Sequence, residues 1–270
     1  MSDTRISRAF ARLKDKGKKA LIAFVTAGDP DIAATRELVL TLEASGADII
    51  ELGIPFSDPM ADGPTIQASS ERALKKGTTP EDVLDAVKKI RKTSEIPIVL
   101  FGYYNPIFSY GVKKFSRKAK EAGADGVLVV DLPAEEAGEL KEELCKNGLD
   151  LIFLLTPTSD AERMKLTSNV ATGFIYFISI TGVTGARQSV SKNISSYVKK
   201  IRCFSSIPVV VGFGVSTPVQ ANAVSSCSDG AVVGSAIINV IAARQNDRKA
   251  LLADVGEFVS SLKKGMNARG

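Results

Sequence analysis

The sequence predicts an α/β fold of eight consecutive strand–helix units, and three observations predict it. Short, continuous apolar runs recur at residues 20–25, 49–52, 96–101, 126–130, 149–155, 174–178, 207–211 and 230–233. Amphipathic segments lie between them, as in Val83, Val87 and Ile90 or in Ile194, Tyr197, Val198 and Ile201. The third observation is size, since 270 residues is the usual length of a barrel built from eight such units. Strands apolar along their whole length belong to a parallel sheet covered by helices, not to a one-sided antiparallel sheet. The expectation is a (β/α)8 TIM barrel, with residues 1–270 as a single domain. An open doubly wound sheet is the runner-up. It lacks its fingerprint, because Ala27-Gly-Asp-Pro follows the first strand where G-x-G-x-x-G would stand.

The elements follow in order. Ile6, Ala9, Phe10 and Leu13 share one helical face ahead of the first strand, which reads as an additional N-terminal helix covering the barrel bottom. Three helix-to-strand junctions echo one another: Glu43-Ala-Ser-Gly-Ala-Asp-Ile-Ile, Glu121-Ala-Gly-Ala-Asp-Gly-Val-Leu and Lys146-Asn-Gly-Leu-Asp-Leu-Ile-Phe. In each, a glycine suited to the left-handed helix end is followed within two residues by an aspartate, then by a buried strand. Pro30, Pro80, Pro133, Pro157 and Pro218 mark the opposite junction, strand to helix. After the sixth strand, Gly182-Val-Thr-Gly-Ala-Arg187 and the polar stretch 188–193 read as a glycine-hinged lid.

Composition narrows the chemistry. Hydrophobic residues make up 44% and charged residues 24%, which supports a sizeable core. There is no histidine, so Ser-His and Cys-His pairs, imidazole acid/base chemistry and histidine metal sites are excluded. The net charge of +5 is spread over helix faces without interleaved aromatic residues, so no nucleic-acid surface is expected. Three widely spaced cysteines indicate neither a disulfide framework nor a zinc site and fit a reducing cytoplasm. No apolar run approaches the roughly 18 residues of a membrane span, and no signal peptide is read.

Active sites in this fold lie at the C-terminal ends of the strands. The most unusual strand end is Ile49-Ile-Glu-Leu-Gly-Ile-Pro-Phe-Ser-Asp-Pro-Met-Ala-Asp-Gly-Pro64. Alternation puts Glu51 on one face with Ile49, opposite Ile50 and Leu52. A carboxyl group inside an apolar strand is costly unless it is paired or takes a raised pKa. It is therefore either an acid/base group or a glutamate hydrogen-bonded for structural reasons. Asp62, held in a proline- and glycine-rich loop, is a second candidate carboxylate, with a turn or helix-cap role as its alternative. Asp29, Asn105, Asp131, Tyr176 and Thr181 are further strand-end polar residues with the same ambiguity. Gly212-Phe-Gly-Val-Ser216 and Gly234-Ser-Ala-Ile237 follow strands seven and eight, where backbone N–H groups and a helix N-terminus suit a phosphate. No strand interior carries a lysine, which excludes a Schiff-base aldolase. Carboxylate acid/base chemistry on a phosphorylated small molecule remains.

Phe24-Val-Thr-Ala-Gly-Asp-Pro30, Glu51-Leu-Gly-Ile-Pro-Phe-Ser-Asp-Pro-Met-Ala-Asp-Gly-Pro-Thr-Ile-Gln67, Gly182-Val-Thr-Gly185, Gly212-Phe-Gly214 and Gly234-Ser235, in this order, resemble the tryptophan synthase alpha-chain family. The resemblance spans about residues 5–262. It implies cleavage of indole-3-glycerol phosphate to indole and glyceraldehyde 3-phosphate without metal or organic cofactor. Glu51 would protonate indole C3, Asp62 would accept the indole N–H, and Tyr176 would stand near the reacting carbon. Thr184 would meet Asp62 on lid closure, and Gly185, Gly214, Gly234 and Ser235 would hold the phosphate. Phe24, Leu100, Leu128 and Phe213 would line the indole pocket. The implied partner is a pyridoxal-phosphate beta chain in an alpha2beta2 heterotetramer, touched through Asp58 and Pro59. Ile180 and Thr181 depart from the arginine and serine of some members. At this point two other readings stay open: an alpha-like subunit that mainly binds and activates the beta chain, and a different phosphate-binding barrel enzyme.

Overall fold

A computed structural model describes residues 4–179, 187–212 and 214–267, with only the backbone path for residues 187–192. Its eight strands are all parallel and close into a barrel in chain order, β1 pairing with both β2 and β8. They are β1 (Ala20–Thr26), β2 (Ile49–Gly53), β3 (Ile98–Gly102), β4 (Gly126–Val129), β5 (Asp150–Leu155), β6 (Ile175–Ile178), β7 (Val209–Gly212) and β8 (Gly230–Val233). The helices are α1 (Arg5–Asp15), α2 (Ile32–Ala44), α3 (Pro64–Lys75), α4 (Pro80–Ile90), α5 (Tyr104–Tyr110) and α6 (Val112–Ala122). They continue with α7 (Gly138–Lys146), α8 (Ala161–Val170), α9 (Arg187–Arg202), α10 (Pro218–Ser225), α11 (Ser235–Ala243) and α12 (Arg248–Asn267). Each of the eight predicted apolar runs overlaps one of these strands.

Two strand starts shift for one chemical reason. The runs 96–101 and 207–211 include Ile-Pro pairs, Ile96-Pro97 and Ile207-Pro208, and β3 and β7 begin after them. Proline has no N–H to give to the ladder, but its carbonyl still accepts: Ile50 N–H donates to Pro97 and Ile175 N–H to Pro208, each at 2.9 Å. The polar stretch 188–193, predicted as part of a lid, instead runs as the first turns of α9. Polarity alone does not oppose helix formation.

The side chains form two apolar layers. Inside the barrel, Ala20, Ile22, Ile49, Val99, Leu128, Ile152, Phe174, Val210 and Val232 pack together. Ile6, Phe10 and Leu13 of α1 join them from below, with the Phe10 and Phe174 rings 5.9 Å apart. The N-terminal helix thus closes the barrel bottom. A larger layer lies between the strands and the helices, and it contains Ile50, Leu52, Ile98, Leu100 and Val127.

Both ends of the strands carry carboxylates. At the bottom, Asp48 accepts from the Leu21 N–H at 2.7 Å and from Lys263 at 2.5 Å. Asp125 accepts from the Ile98 N–H at 2.8 Å, from Arg91 at 2.6 Å and from Arg5 at 3.1 Å. Asp229 accepts from the Val209 N–H at 2.9 Å and from Arg202 at 2.8 Å. Each stands immediately before an even-numbered strand and ties it to its odd-numbered neighbour. At β6 a threonine does this: the Leu151 N–H donates to the Thr172 hydroxyl at 2.8 Å.

Candidate active site

Glu51 lies at the top of the interior layer, two residues beyond Ile49 on the same face of β2. Its register partners are Phe24 on β1 and Val99 on β3, both apolar. The residue is 1% exposed, and its Oε1 has no hydrogen-bond partner among the described residues. Burial pushes the carboxyl up from 4.5 to about 8. At neutral pH such a group is a protonated acid that can give and take back a proton.

Tyr176 on β6 is raised far above an ordinary phenol, first by burial and then by the negative field of Glu51. The barrel therefore brings these two groups together. A side chain at Gly212 on β7 would collide with the Tyr176 hydroxyl, so the glycine leaves the room that the phenol occupies. Phe24 follows Ile22 on the inward face and meets Phe101 edge to face at 5.1 Å. Leu128, buried on the interior face, is the register partner of Phe101. Apolar walls thus stand beside Glu51, and they are what desolvates it.

Leu100 is a correction. It packs with Ile50, Leu52 and Ile98 toward the helices, while Val99 and Phe101 face the interior. The 96–101 run is apolar throughout, so no polar residue marks its phase, and a one-residue slip exchanges the two faces. Phe101 is the inward residue that sequence reasoning missed.

Asp62 lies nine residues past the end of β2, in the loop between β2 and α3. Burial raises its pKa, and a hydrogen bond from the Tyr103 hydroxyl partly offsets this. Tyr103 is 3% exposed, accepts from the Ala61 N–H at 3.1 Å, and stacks at a tilt on Phe56 at 5.4 Å. It is a second missed residue, and it holds the loop from the end of β3. Gln67 on α3 completes the grip, donating to the Asp62 backbone carbonyl at 2.7 Å. Among the described residues no hydrogen bond joins Asp62 to Glu51.

On the β8 side of β1, Gly234 caps α11 without a side-chain hydrogen bond, and Ser235 opens the helix. A Cβ on Gly234 would come within 3.4 Å of Phe24. Gly214 holds φ of 75°, in the region that favours glycine. The N-terminus of α11 thus lies beside Phe24, the register partner of Glu51, and a helix N-terminus attracts anions. Asp58 is exposed and accepts from Ser57, Pro59 is half-buried, and the adjacent Met60 is 83% exposed. Of the other strand-end residues, Asp29 pairs with Arg72, Asp131 accepts from the Tyr104 N–H at 2.8 Å, and Asn105 accepts from Ser109. Ile180, Thr181, Gly182, Thr184, Gly185 and Phe213 lie outside the described residues.

A closed barrel of eight parallel strands, with the buried Glu51 carboxyl beside Phe24 and the N-terminus of α11 on the other side of that ring, defines a class: the TIM-barrel enzymes. A sequence profile of the tryptophan synthase alpha chain family matches residues 10–267. The tryptophan synthase alpha chain of Geotalea uraniireducens is 54% identical over 267 residues, 99% of each chain. That of Thermoanaerobacter sp. strain X514 is 51% identical over 259 residues, covering 96% of this chain and 98% of its own. Among solved structures, tryptophan synthase subunit alpha from Legionella pneumophila superposes with a TM-score of 0.91 at 41% identity, covering 98% of both chains. A chain of tryptophan synthase from M. tuberculosis does so with a TM-score of 0.88 at 32% identity, covering 98% of this chain and 100% of that one. The chain belongs to the tryptophan synthase alpha chain family.

Proposed function

We propose that Glu51 and Asp62 carry the cleavage of indole-3-glycerol phosphate to indole and glyceraldehyde 3-phosphate in tryptophan biosynthesis, a carbon–carbon lyase reaction. The single observation behind this reading is the buried Glu51 carboxyl with an unpartnered oxygen, held neutral in an apolar wall. Neutral Glu51 gives its proton to indole C3, turning the ring into an electron sink. The resulting carboxylate takes the proton of the side-chain hydroxyl, the carbon–carbon bond breaks, and its electrons return to the ring. Protons and electrons balance without an added reagent. Asp62 accepts a hydrogen bond from the indole N–H and stabilises the positive charge that forms there, and Tyr176 packs by the reacting carbon.

Phe24, Phe101 and Leu128 enclose the indole, with Phe213 added by the family pattern. Backbone N–H groups of Gly214, Gly234 and Ser235 hold the phosphate, with Gly185 and Thr184 completing the closed site. The alpha reaction uses no cofactor, and pyridoxal phosphate belongs to the beta chain, which receives the indole in an alpha2beta2 complex. Asp58, Pro59 and exposed Met60 face that partner. Among the described residues no helix is long and apolar enough to cross a membrane. The proposed compartment is the cytoplasm, and the whole chain acts as one domain. Release of indole from indole-3-glycerol phosphate, followed with and without a beta chain, tests the reading. Indole is expected in both assays and faster with the partner. No release in either would leave the chain a binding and activating subunit only.

A further inference from the structure

Asp29 ends the turn after β1, is fully buried, and receives both arms of the Arg72 guanidinium at 2.8 and 2.7 Å. Two parallel N–H donors fix direction as well as distance. Arg72 lies on α3, the helix that begins two residues after Asp62. One turn earlier, buried Ser69 shares a 2.6 Å hydrogen bond with Thr26 of β1. Gln67 on the same helix binds the Asp62 carbonyl. The turn bearing Asp29 is itself fastened, since the Gly28 N–H donates to the Thr35 hydroxyl at 2.9 Å. A chain of polar ties therefore runs from β1, which carries Phe24 next to Glu51, through α3 to Asp62.

We propose that the Asp29–Arg72 pair is a positioning device for Asp62: it fixes α3 against β1, and α3 fixes the loop carboxylate against the indole ring. The inference rests on the proposed role of Asp62. A pair serving stability alone would be indifferent to which part of a ligand is bound. A positioning pair acts on the indole end and leaves the phosphate end untouched.

Arg72→Lys keeps the charge and loses the fork. With the beta chain present, it is expected to lower kcat for indole-3-glycerol phosphate about tenfold or more, since small misplacements carry such penalties. It weakens binding of indole-3-propanol phosphate several-fold and leaves that of glycerol 3-phosphate unchanged. Ala73→Gly on the same helix provides a control of reduced thermal stability with kcat unchanged. If Arg72→Lys behaves like Ala73→Gly, or weakens both ligands equally, the proposal is overturned. Should Arg72→Lys fail to fold, Ser69→Ala cuts the second tie and carries the test, a selective loss on the indole ligand supporting the proposal and no loss overturning it. Asp62→Asn separates the two layers of the argument. Unchanged indole recognition there overturns the role of Asp62 and the proposal with it, whereas a loss there with none in Arg72→Lys overturns the proposal alone.

Discussion

Two buried carboxylates at opposite ends of the barrel, Asp125 and Glu51, lie at much the same depth and are treated in opposite ways. At the bottom, Asp125 is 5% exposed and receives a strand N–H and two guanidinium groups. At the top, Glu51 is 1% exposed and its Oε1 receives nothing from the described residues. Burial depth therefore says little about a carboxylate, and its partners say most. A satisfied carboxylate ties strands together. An unsatisfied one is stored as a neutral acid at a cost in stability. That cost is what singles out Glu51 as the proposed acid.

The widest contrast comes from replacing one carboxyl group at each end by an amide. Glu51→Gln is expected to abolish lyase turnover while the protein folds and binds substrate, because shape is kept and the transferable proton is lost. Asp125→Asn should retain turnover and lose about 3–5 kcal/mol of stability, since the Arg91 guanidinium stays buried beside an uncharged partner. Steady-state indole release and denaturant melts on both variants check the crossed pattern. Loss of turnover in both, or in neither, would break the comparison.

Next in size is the proposed phosphate site at the N-terminus of α11. Gly234→Asp places a carboxylate at the N-cap of α11 and next to Phe24, and it should raise KM steeply. An unchanged KM would move the anion site elsewhere.

A smaller effect concerns pH. In the folded protein Glu51 keeps its proton up to about 8, whereas in the unfolded chain it releases it near 4.5. Folding takes up a proton between these values, so Glu51 makes no such demand below pH 4.5 and lowers stability progressively as pH rises through the window. Glu51→Gln should therefore be more stable than the parent by about 1–3 kcal/mol near pH 7, with the gap closing toward pH 4.5. Denaturant melts across that range test this, and a pH-independent gap would contradict it. The same titration should depress kcat above about pH 8 as the neutral acid disappears.

What the sequence revealed, and what it hid, follows from the range of the interactions. Apolar runs and helix periodicity are local, so the eight strands and the covering helix α1 were legible, down to Ile6, Phe10 and Leu13. Glu51 was legible because a charge inside an apolar strand is a local contradiction. Its unpartnered state was not, because Phe24 and Val99 reach it only through strand register. The glycine–aspartate echo found Asp48 and Asp125 but grouped Asp150 with them, and Asp150 accepts from the Thr4 hydroxyl of the N-terminal cap. It missed Asp229, which no glycine precedes in that pattern. Tyr103 and the Asp29–Arg72 pair were hidden for the same reason: their partners lie 41 to 43 residues away or across a loop, and no spacing rule links them. Tyr103 left one faint signal, a phenol directly after β3 in a barrel whose strand ends carry function.

The central claim is that Glu51 is held as a neutral acid in the open end of the barrel. Its ionisation can be read directly by titrating the protein carrying glutamate labelled with carbon-13 at the carboxyl, the Glu51 resonance being the one missing from Glu51→Gln. The account predicts a midpoint near 8. A midpoint near 4.5, the ordinary value, would contradict it.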